Sequence, residues 1–246
     1  MIVHTSPSGK RMCWGACLLA LLLGACAPPD AFRVACVGDS ITYGDGLAKP
    51  ETASYPAQLQ GLLGDSTVVR NFGRNGRTLL RQGHAPYWRE EALAEALAFR
   101  PHVVVIMLGT NDSKPGNWQH AADFEPDYLA LIDTFLALPT APRVLIGVPP
   151  PVYRHGFEIR DHTLGREIVP AVRQVAAQRP VELLDFHRAM QGHPEWFVDG
   201  VHPTAAGARG IAEAVARRIA KLPQTPAQVS ASLPKRLNEP LFFVPE

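Results

Sequence analysis

Two segments of this 246-residue chain carry groups suited to nucleophilic acyl transfer. Ser40 lies in Gly38-Asp39-Ser40 directly after an apolar run, where a serine can sit in a tight turn with its N–H pointing outward. Asp199 precedes His202 by three residues, so the carboxylate can hold one ring nitrogen and leave the other free as a base. Each segment alone could equally be structural, the first a capped turn and the second a helix cap beside a surface histidine.

Two further turns could supply hydrogen-bond donors for a negatively charged oxygen. The segment 71–78 carries two glycines three residues apart, the second being Gly76, which allow close backbone approach to a ligand. Asn111 follows the most apolar run, and its amide can donate into the same pocket. Either segment could also be a plain turn. We expect Asp39 and Asp112, which flank the motif residues, to brace these loops by hydrogen bonding.

Alternating strand and helix patterns position these residues along the chain. Unbroken apolar runs followed by helical spacing predict a parallel sheet covered by helices on both faces. The predicted strands are 32–37, 67–72, 103–108, 143–148 and 181–184, and the predicted helices are 55–63, 90–99, 126–138, 167–178 and 204–222. Ligands of such sheets bind beyond the carboxyl ends of the strands, which is where the candidate loops fall.

Taken together, the four segments resemble the SGNH hydrolases, also called GDSL esterases/lipases. The resemblance rests on GDSITYG, NFGRNGRTLL, IMLGTNDSKPGNW and DGVHP, and it covers residues 32–221. It implies a three-layer α/β/α sandwich with a five-stranded, parallel, flavodoxin-like sheet. The segments also look like those of sialate O-acetylesterases and related carbohydrate acetylesterases, which implies an acetyl group on a glycan as substrate.

The same resemblance implies the roles of the site residues. Ser40 would be the nucleophile, His202 its general base and Asp199 the triad acid. The backbone N–H groups of Ser40 and Gly76, with the side chain of Asn111, would form the oxyanion hole. The reaction would need no cofactor and no metal, and the sequence shows no metal-ligand spacing.

Five aromatic or basic residues in or just after these loops could line a pocket for a sugar, including an anionic sugar such as a sialate. They are Arg77, His84, Trp88, Lys114 and Trp118. The two tryptophans could equally be packing residues, and the histidine a surface residue. Two other functions stay open: a lysophospholipase or thioesterase with an apolar groove beside the serine, and a non-catalytic surface-binding lipoprotein that keeps only the fold.

The first residues are typical of an export signal. Lys10 and Arg11 precede a short apolar run that is too short to span a bilayer as a stable helix. The run ends in LGAC, which resembles a bacterial lipoprotein signal and predicts lipidation of Cys26; an ordinary signal peptide cleaved near residue 25 or 27 is the alternative. We therefore expect a signal peptide at 1–25, a linker at 26–31, the hydrolase domain at 32–222 and a tail at 223–246. The protein would be exported and face the periplasm or the cell exterior, with membrane contact through the lipid anchor only.

Composition and charge narrow the remaining possibilities. The net charge is +1 and no basic run follows the signal, which disfavours nucleic-acid binding. With 46% hydrophobic residues, the chain suits one domain with a sizeable core. Cys36 lies in an apolar strand pattern and is expected to be a buried thiol, so no disulfide framework is predicted. The predicted partner is a small-molecule or glycan ester, and the sequence leaves the oligomeric state open.

Overall fold

The structure is a computed structural model that describes residue 1, residues 31–154 and residues 156–220. The predicted signal peptide after Met1, the lipidation site Cys26, most of the linker, residues 221–222 and the tail lie outside the described residues. Five strands occur in the described part: β1 Phe32–Gly38, β2 Thr67–Gly73, β3 Val103–Met107, β4 Arg143–Val148 and β5 Glu182–Asp185. Each strand lies within about one residue of its predicted range.

The five strands form one parallel sheet in the order β2-β1-β3-β4-β5. This flavodoxin-like order confirms the predicted fold class. Gly38 at the end of β1 pairs with Gly73 of β2 and with Met107 of β3, so the three strands end at the same level. The chain reverses its direction of travel across the sheet between β1 and β3, and ligands of such folds bind in the crevice at that point.

Ten α-helices surround the sheet in the described ranges. They are α1 Ser40–Tyr43, α2 Pro50–Ala53, α3 Tyr55–Leu63, α4 Glu91–Ala98, α5 Pro115–Trp118, α6 Phe124–Leu136, α7 Asp161–Thr163, α8 Val169–Ala177, α9 Phe186–Ala189 and α10 Ala205–Ala220. Short 3₁₀ turns lie at Tyr87–Arg89, Asn111–Ser113, Ala121–Asp123 and Pro194–Trp196, and a π-helical turn at Leu164–Ile168 leads into α8. Helix α6 begins at Phe124, two residues before its predicted start at Pro126. Pro126 fits there because the N–H groups of a first helical turn have no acceptor within the helix, so the one that proline lacks is not missed.

Two apolar cores cover the two faces of the sheet. Successive side chains of a strand point to opposite faces, so Ala35 and Val37 join the core that includes α4, α6 and α8. Val34 and Cys36 join the other core with α3 and α10. This alternation produces the three layers. The thiol of Cys36 is fully buried, and burial raises its pKa to about 12. No helix among the described residues is long and apolar enough to cross a bilayer.

Candidate active site

A tight turn places Ser40 directly beyond β1, at the start of α1. Asp39 caps that helix, because its Oδ1 accepts the backbone N–H of Ile41 at 2.9 Å. A side chain at Gly38 would meet the backbone, since an added Cβ would lie 2.6 Å from the carbonyl oxygen of Met107. The strand can therefore pass into the helix at this close distance only with glycine there. As the first residue of α1, Ser40 has a backbone N–H that the helix itself does not use.

The side chains of Ser40, His202 and Asp199 form one hydrogen-bonded series. Ser40 Oγ lies 2.9 Å from His202 Nε2, and His202 Nδ1 lies 2.7 Å from Asp199 Oδ2. The other carboxylate oxygen, Asp199 Oδ1, accepts the backbone N–H groups of Val201 and His202 at 2.9 and 2.8 Å. Such an arrangement can move the hydroxyl proton to the imidazole and stabilise the imidazolium that results.

Electrostatics favour a charged Asp199 beside the histidine. Partial burial acts to raise the pKa of this carboxyl, but the hydrogen bonds from His202 and Val201 outweigh it, and the pKa lies below its ordinary value. His202 itself is buried, and its ring is held at both nitrogens. The carboxylate therefore stays ionised and keeps the imidazole in one orientation.

Hydrogen bonds join the loops that carry the other two candidate residues. Gly76 has φ +75°, in the left-handed region that favours glycine. Asn111 is buried, and one N–H of its amide donates to the carbonyl oxygen of Arg77 at 3.2 Å. The N–H of Arg74 donates to the carbonyl oxygen of Gly38 at 3.0 Å. The loops after β1, β2 and β3 are thus fastened to one another, and the second amide N–H of Asn111 is left to serve as a donor.

Two buried carboxyls brace these loops, as expected from their positions in the sequence. Asp112 accepts the backbone N–H groups of Leu80 and Leu79 at 2.8 and 3.0 Å. Burial raises its pKa to about 7, an effect that the Asp39 carboxyl adds to and the two N–H donors reduce. Burial also raises the pKa of Asp39 to about 6, against the opposing effects of the Ile41 N–H and of His202.

The five predicted pocket residues are largely engaged with the protein itself. Arg77 pairs with Glu90, with Nε 2.6 Å from Oε1. The indole N–H of Trp88 donates to the carbonyl oxygen of Leu79 at 2.9 Å, and its ring packs against the core. Trp118 likewise donates, at 2.7 Å, to a carboxylate oxygen of Glu167. These contacts correspond to the packing alternative for the two tryptophans.

His84 and Lys114 both lie near the Asn111 turn, which Lys114 directly follows. His84 contacts Asn117 twice: its backbone N–H donates to Asn117 Oδ1 at 2.9 Å, and its Nδ1 lies 2.9 Å from Asn117 Nδ2. Asn117 in turn donates to the carbonyl oxygen of Asn111 at 2.8 Å. His84 is therefore connected to the Asn111 turn through one intervening side chain. Lys114 is half-buried at the start of α5 and makes no ion pair within the described ranges.

Two neighbours of His202 belong to no segment that the sequence singled out. Asp45 Oδ2 lies 3.7 Å from His202 Nε2, and the ring of Phe157 lies 5.5 Å from the imidazole, centroid to centroid, at an interplanar angle of 72°. Phe157 follows β4 at the same edge of the sheet as the other loops, and that position is the signal that could have indicated it. Across the described residues, no group of three or more histidine, cysteine, aspartate or glutamate side chains could hold a metal ion.

Comparisons with known proteins identify a family that the chain matches. The model of the GDSL-like Lipase/Acylhydrolase family matches residues 36–209. A curated acetylxylan esterase from Xylanibacter ruminicola is 41% identical over 208 residues, which are 77% of this chain and 43% of that relative. The chain thus spans less than half the length of the curated relative it matches.

Solved structures with the same architecture are also found. A proposed arylesterase from Agrobacterium tumefaciens strain C58 is 29% identical with a TM-score of 0.63, and the match covers 77% of this chain and 98% of that one. Est24, a carbohydrate acetylesterase from Sinorhizobium meliloti, is 23% identical with a TM-score of 0.65, again over 77% and 98% of the two chains. The second likeness is evidence for the fold alone.

Proposed function

This chain belongs to the GDSL-like lipase/acylhydrolase family of carboxylic ester hydrolases, and we propose that it is a serine esterase that removes short acyl groups, acetyl above all, from carbohydrates. The observation that carries the proposal is the series from Asp199 through His202 to Ser40, with contacts of 2.7 and 2.9 Å. The acetyl group and the carbohydrate are supported by the curated relative, an acetylxylan esterase that is 41% identical.

In the proposed reaction, Ser40 Oγ attacks the ester carbonyl carbon while its proton passes to His202 Nε2. The carbonyl oxygen gains negative charge and receives hydrogen bonds from the backbone N–H groups of Ser40 and Gly76 and from the Asn111 amide. The intermediate collapses when His202 returns the proton to the departing alcohol oxygen. This leaves an acyl-enzyme, which water hydrolyses by the same steps with His202 again acting as the base.

The carboxylates around the histidine bear on the charge of the substrate. Asp45 Oδ2 lies 3.7 Å from the nitrogen that must protonate the departing alcohol, and Asp199 is ionised behind it. An anionic sugar would approach two negative charges, so a neutral acetylated glycan is favoured over a sialate ester. Competing the two acetylated sugars in one assay tests this preference, and faster cleavage of the sialate ester would reverse it.

A series of esters that differ only in acyl length separates the proposal from its nearest rival. Acetyl esters should be cleaved with a higher kcat/KM than octanoyl or longer esters, and Ser40→Ala provides the blank. A clear optimum at long chains would instead indicate a lysophospholipase or thioesterase. The absence of Ser40-dependent turnover on every ester would favour a non-catalytic surface-binding protein.

Export with a lipid anchor at Cys26 is a separate proposal, supported by the apolar run that ends in LGAC. Cys26→Ser should transfer the protein from the membrane fraction to the soluble fraction, while the specific esterase activity is retained. A wild-type protein that is soluble and carries an unmodified N-terminus would replace this proposal with an ordinary signal peptide.

A further inference from the structure

Two exposed hydrophobic side chains among the described residues, Phe157 and Val198, lie beside His202. Apart from Met1, the large exposed hydrophobic residues of the described ranges are Tyr43, Phe157 and Val198, which are 43%, 58% and 52% exposed. Tyr43 ends the short helix that Ser40 begins, and Val198 donates its backbone N–H to the carbonyl oxygen of His202 at 2.8 Å. Phe157 contacts the imidazole itself, with the two ring planes 72° apart. Apolar surface left in water beside reactive groups indicates a place where a ligand packs.

The backbone at Phe157 is unusual as well. Phe157 and the next residue, Glu158, have φ values of +55° and +61°, in the left-handed region that residues with a Cβ rarely adopt. The turn is fixed on its far side, because Ile159 is buried and donates its N–H to the carbonyl oxygen of Gly156 at 3.0 Å. The next N–H, of Arg160, donates to Ser113 Oγ at 3.2 Å. Strained residues held in this way cluster at ligand sites.

The chemistry at His202 identifies which part of an ester would meet this ring. The acyl carbonyl must lie among the donors from Ser40, Gly76 and Asn111, whereas the alcohol oxygen must lie next to His202 Nε2 to receive its proton. The ring of Phe157 contacts the imidazole of His202, so it lies on the alcohol side of the ester. A pyranose carries C–H groups of partial positive charge on its apolar face, and these suit the negative face of a phenyl ring.

We infer that Phe157 is a stacking platform for the sugar ring that carries the acyl group, and that it makes the enzyme selective for the alcohol part of the ester. The inference rests on the proposed function and extends it from the acyl group to the sugar. Val198 lies on the same histidine, since a Cβ at Gly46 would lie 3.5 Å from the Cβ of His202 and 3.7 Å from that of Val198.

Two acetyl esters with different alcohols test the platform. The acyl group is the same in acetylated xylo-oligosaccharide and in ethyl acetate, but ethanol is too small to stack. Phe157→Ala should reduce kcat/KM for the oligosaccharide about tenfold, mainly by raising KM, and should reduce it less than threefold for ethyl acetate. Phe157→Tyr, which keeps the ring, should restore the wild-type ratio of kcat/KM for the two substrates.

Glu158→Ala is the matched control, because it changes the neighbouring exposed side chain on the same left-handed turn. It should leave the ratio of the two substrates unchanged. If Phe157→Ala lowers both activities equally, or if Glu158→Ala reproduces its effect, Phe157 is not a platform although the protein is an esterase. If the wild-type protein hydrolyses neither ester faster than Ser40→Ala does, the proposed function itself is wrong.

Discussion

Two loops meet at His202, and they are built in opposite ways. The loop before α10 carries Asp199 and His202, whose side chains and backbone are tied together by hydrogen bonds of 2.7 to 2.9 Å. The loop after β4 presents Phe157 to solvent on a left-handed turn, with its ring in contact with the imidazole and more than half exposed.

The difference fits the roles that we propose for the two loops. In the proposed reaction, proton transfer between Ser40 and His202 depends on tenths of an ångström, which fits the burial of both residues and the hydrogen bonds at both nitrogens of the imidazole. A stacking surface tolerates small displacements but must stay open to the substrate. We therefore expect substitutions in the first loop to abolish turnover for every ester, and substitutions in the second to change which ester is preferred.

The largest effect should come from removing the nucleophile or the base. Ser40→Ala and His202→Ala should each lower kcat by roughly five to six powers of ten, and the double variant should be little worse, because the two groups act as a unit. Steady-state kinetics on an acetyl ester measure this, with the buried Ser54→Ala as a control. If His202 only caps α10, His202→Ala would lower the melting temperature and leave the kcat of the folded protein near the wild-type value.

Asp199→Asn should come next, with a loss of about four powers of ten in kcat. The amide can present an N–H to the imidazole where the carboxylate accepted one, which favours the wrong tautomer. Asp185→Asn is the matched control, since the Asp185 carboxylate likewise accepts a backbone N–H from a residue that follows it, that of Arg188 at 3.0 Å. Equal losses in the two variants would show that Asp199 matters for folding and not for the reaction.

Asn111→Ala should have a smaller and different effect. It leaves the nucleophile and the base in place and removes one donor to the developing oxyanion, so kcat should fall by roughly two to three powers of ten with little change in KM. The same assay gives both constants. A rise in KM at unchanged kcat would mean that Asn111 binds the ground state and does not stabilise the transition state.

The smallest effect concerns the pH dependence of stability that the buried carboxyl of Asp39 produces. Burial raises the pKa of Asp39 from its ordinary value of 3.8 to about 6, so between these values the folded protein holds a proton that the unfolded chain has released. Its contribution to the free energy of unfolding therefore decreases as the pH rises through that range, by roughly 1–3 kcal/mol. Asp39→Asn removes this titration, and its stability should fall less than that of the wild type between about pH 4 and pH 7.

Urea unfolding at the two pH values measures that difference. Glu158→Gln, which neutralises an exposed carboxylate in the other loop, is the control and should retain the wild-type pH dependence. If Asp39→Asn and the wild type lose stability in parallel, burial does not raise the pKa of the Asp39 carboxyl in the folded protein.

The sequence predicted the sheet closely, and it singled out the residues that hydrogen bonds join at the candidate site, but not the exposed residues beside them. Buried strands are unbroken apolar runs, so β1 was expected at 32–37 and lies at Phe32–Gly38. Gly76, Asn111 and the Asp199–His202 pair each stand in a short motif with its own turn chemistry.

The rest depends on contacts that no local pattern records. Short helices such as α2 and α9 have only four residues, too few for a periodic signal. Phe157 meets His202 across 45 residues of sequence, and the left-handed turn that presents it contains two residues with no intrinsic preference for that conformation. Asp45 likewise reaches His202 only because α1 is short and turns back at Gly44, where φ is +96°.

Labelling with a serine-reactive phosphonate tests the central claim most directly, because it asks whether Ser40 is a nucleophile activated by His202. The wild-type protein should take up one phosphonyl group per chain, on the peptide that contains Ser40, and Ser40→Ala should take up none. His202→Ala should react far more slowly, since its serine has no base. Stoichiometric labelling at another residue, or labelling of Ser40→Ala at the wild-type rate, would contradict the account.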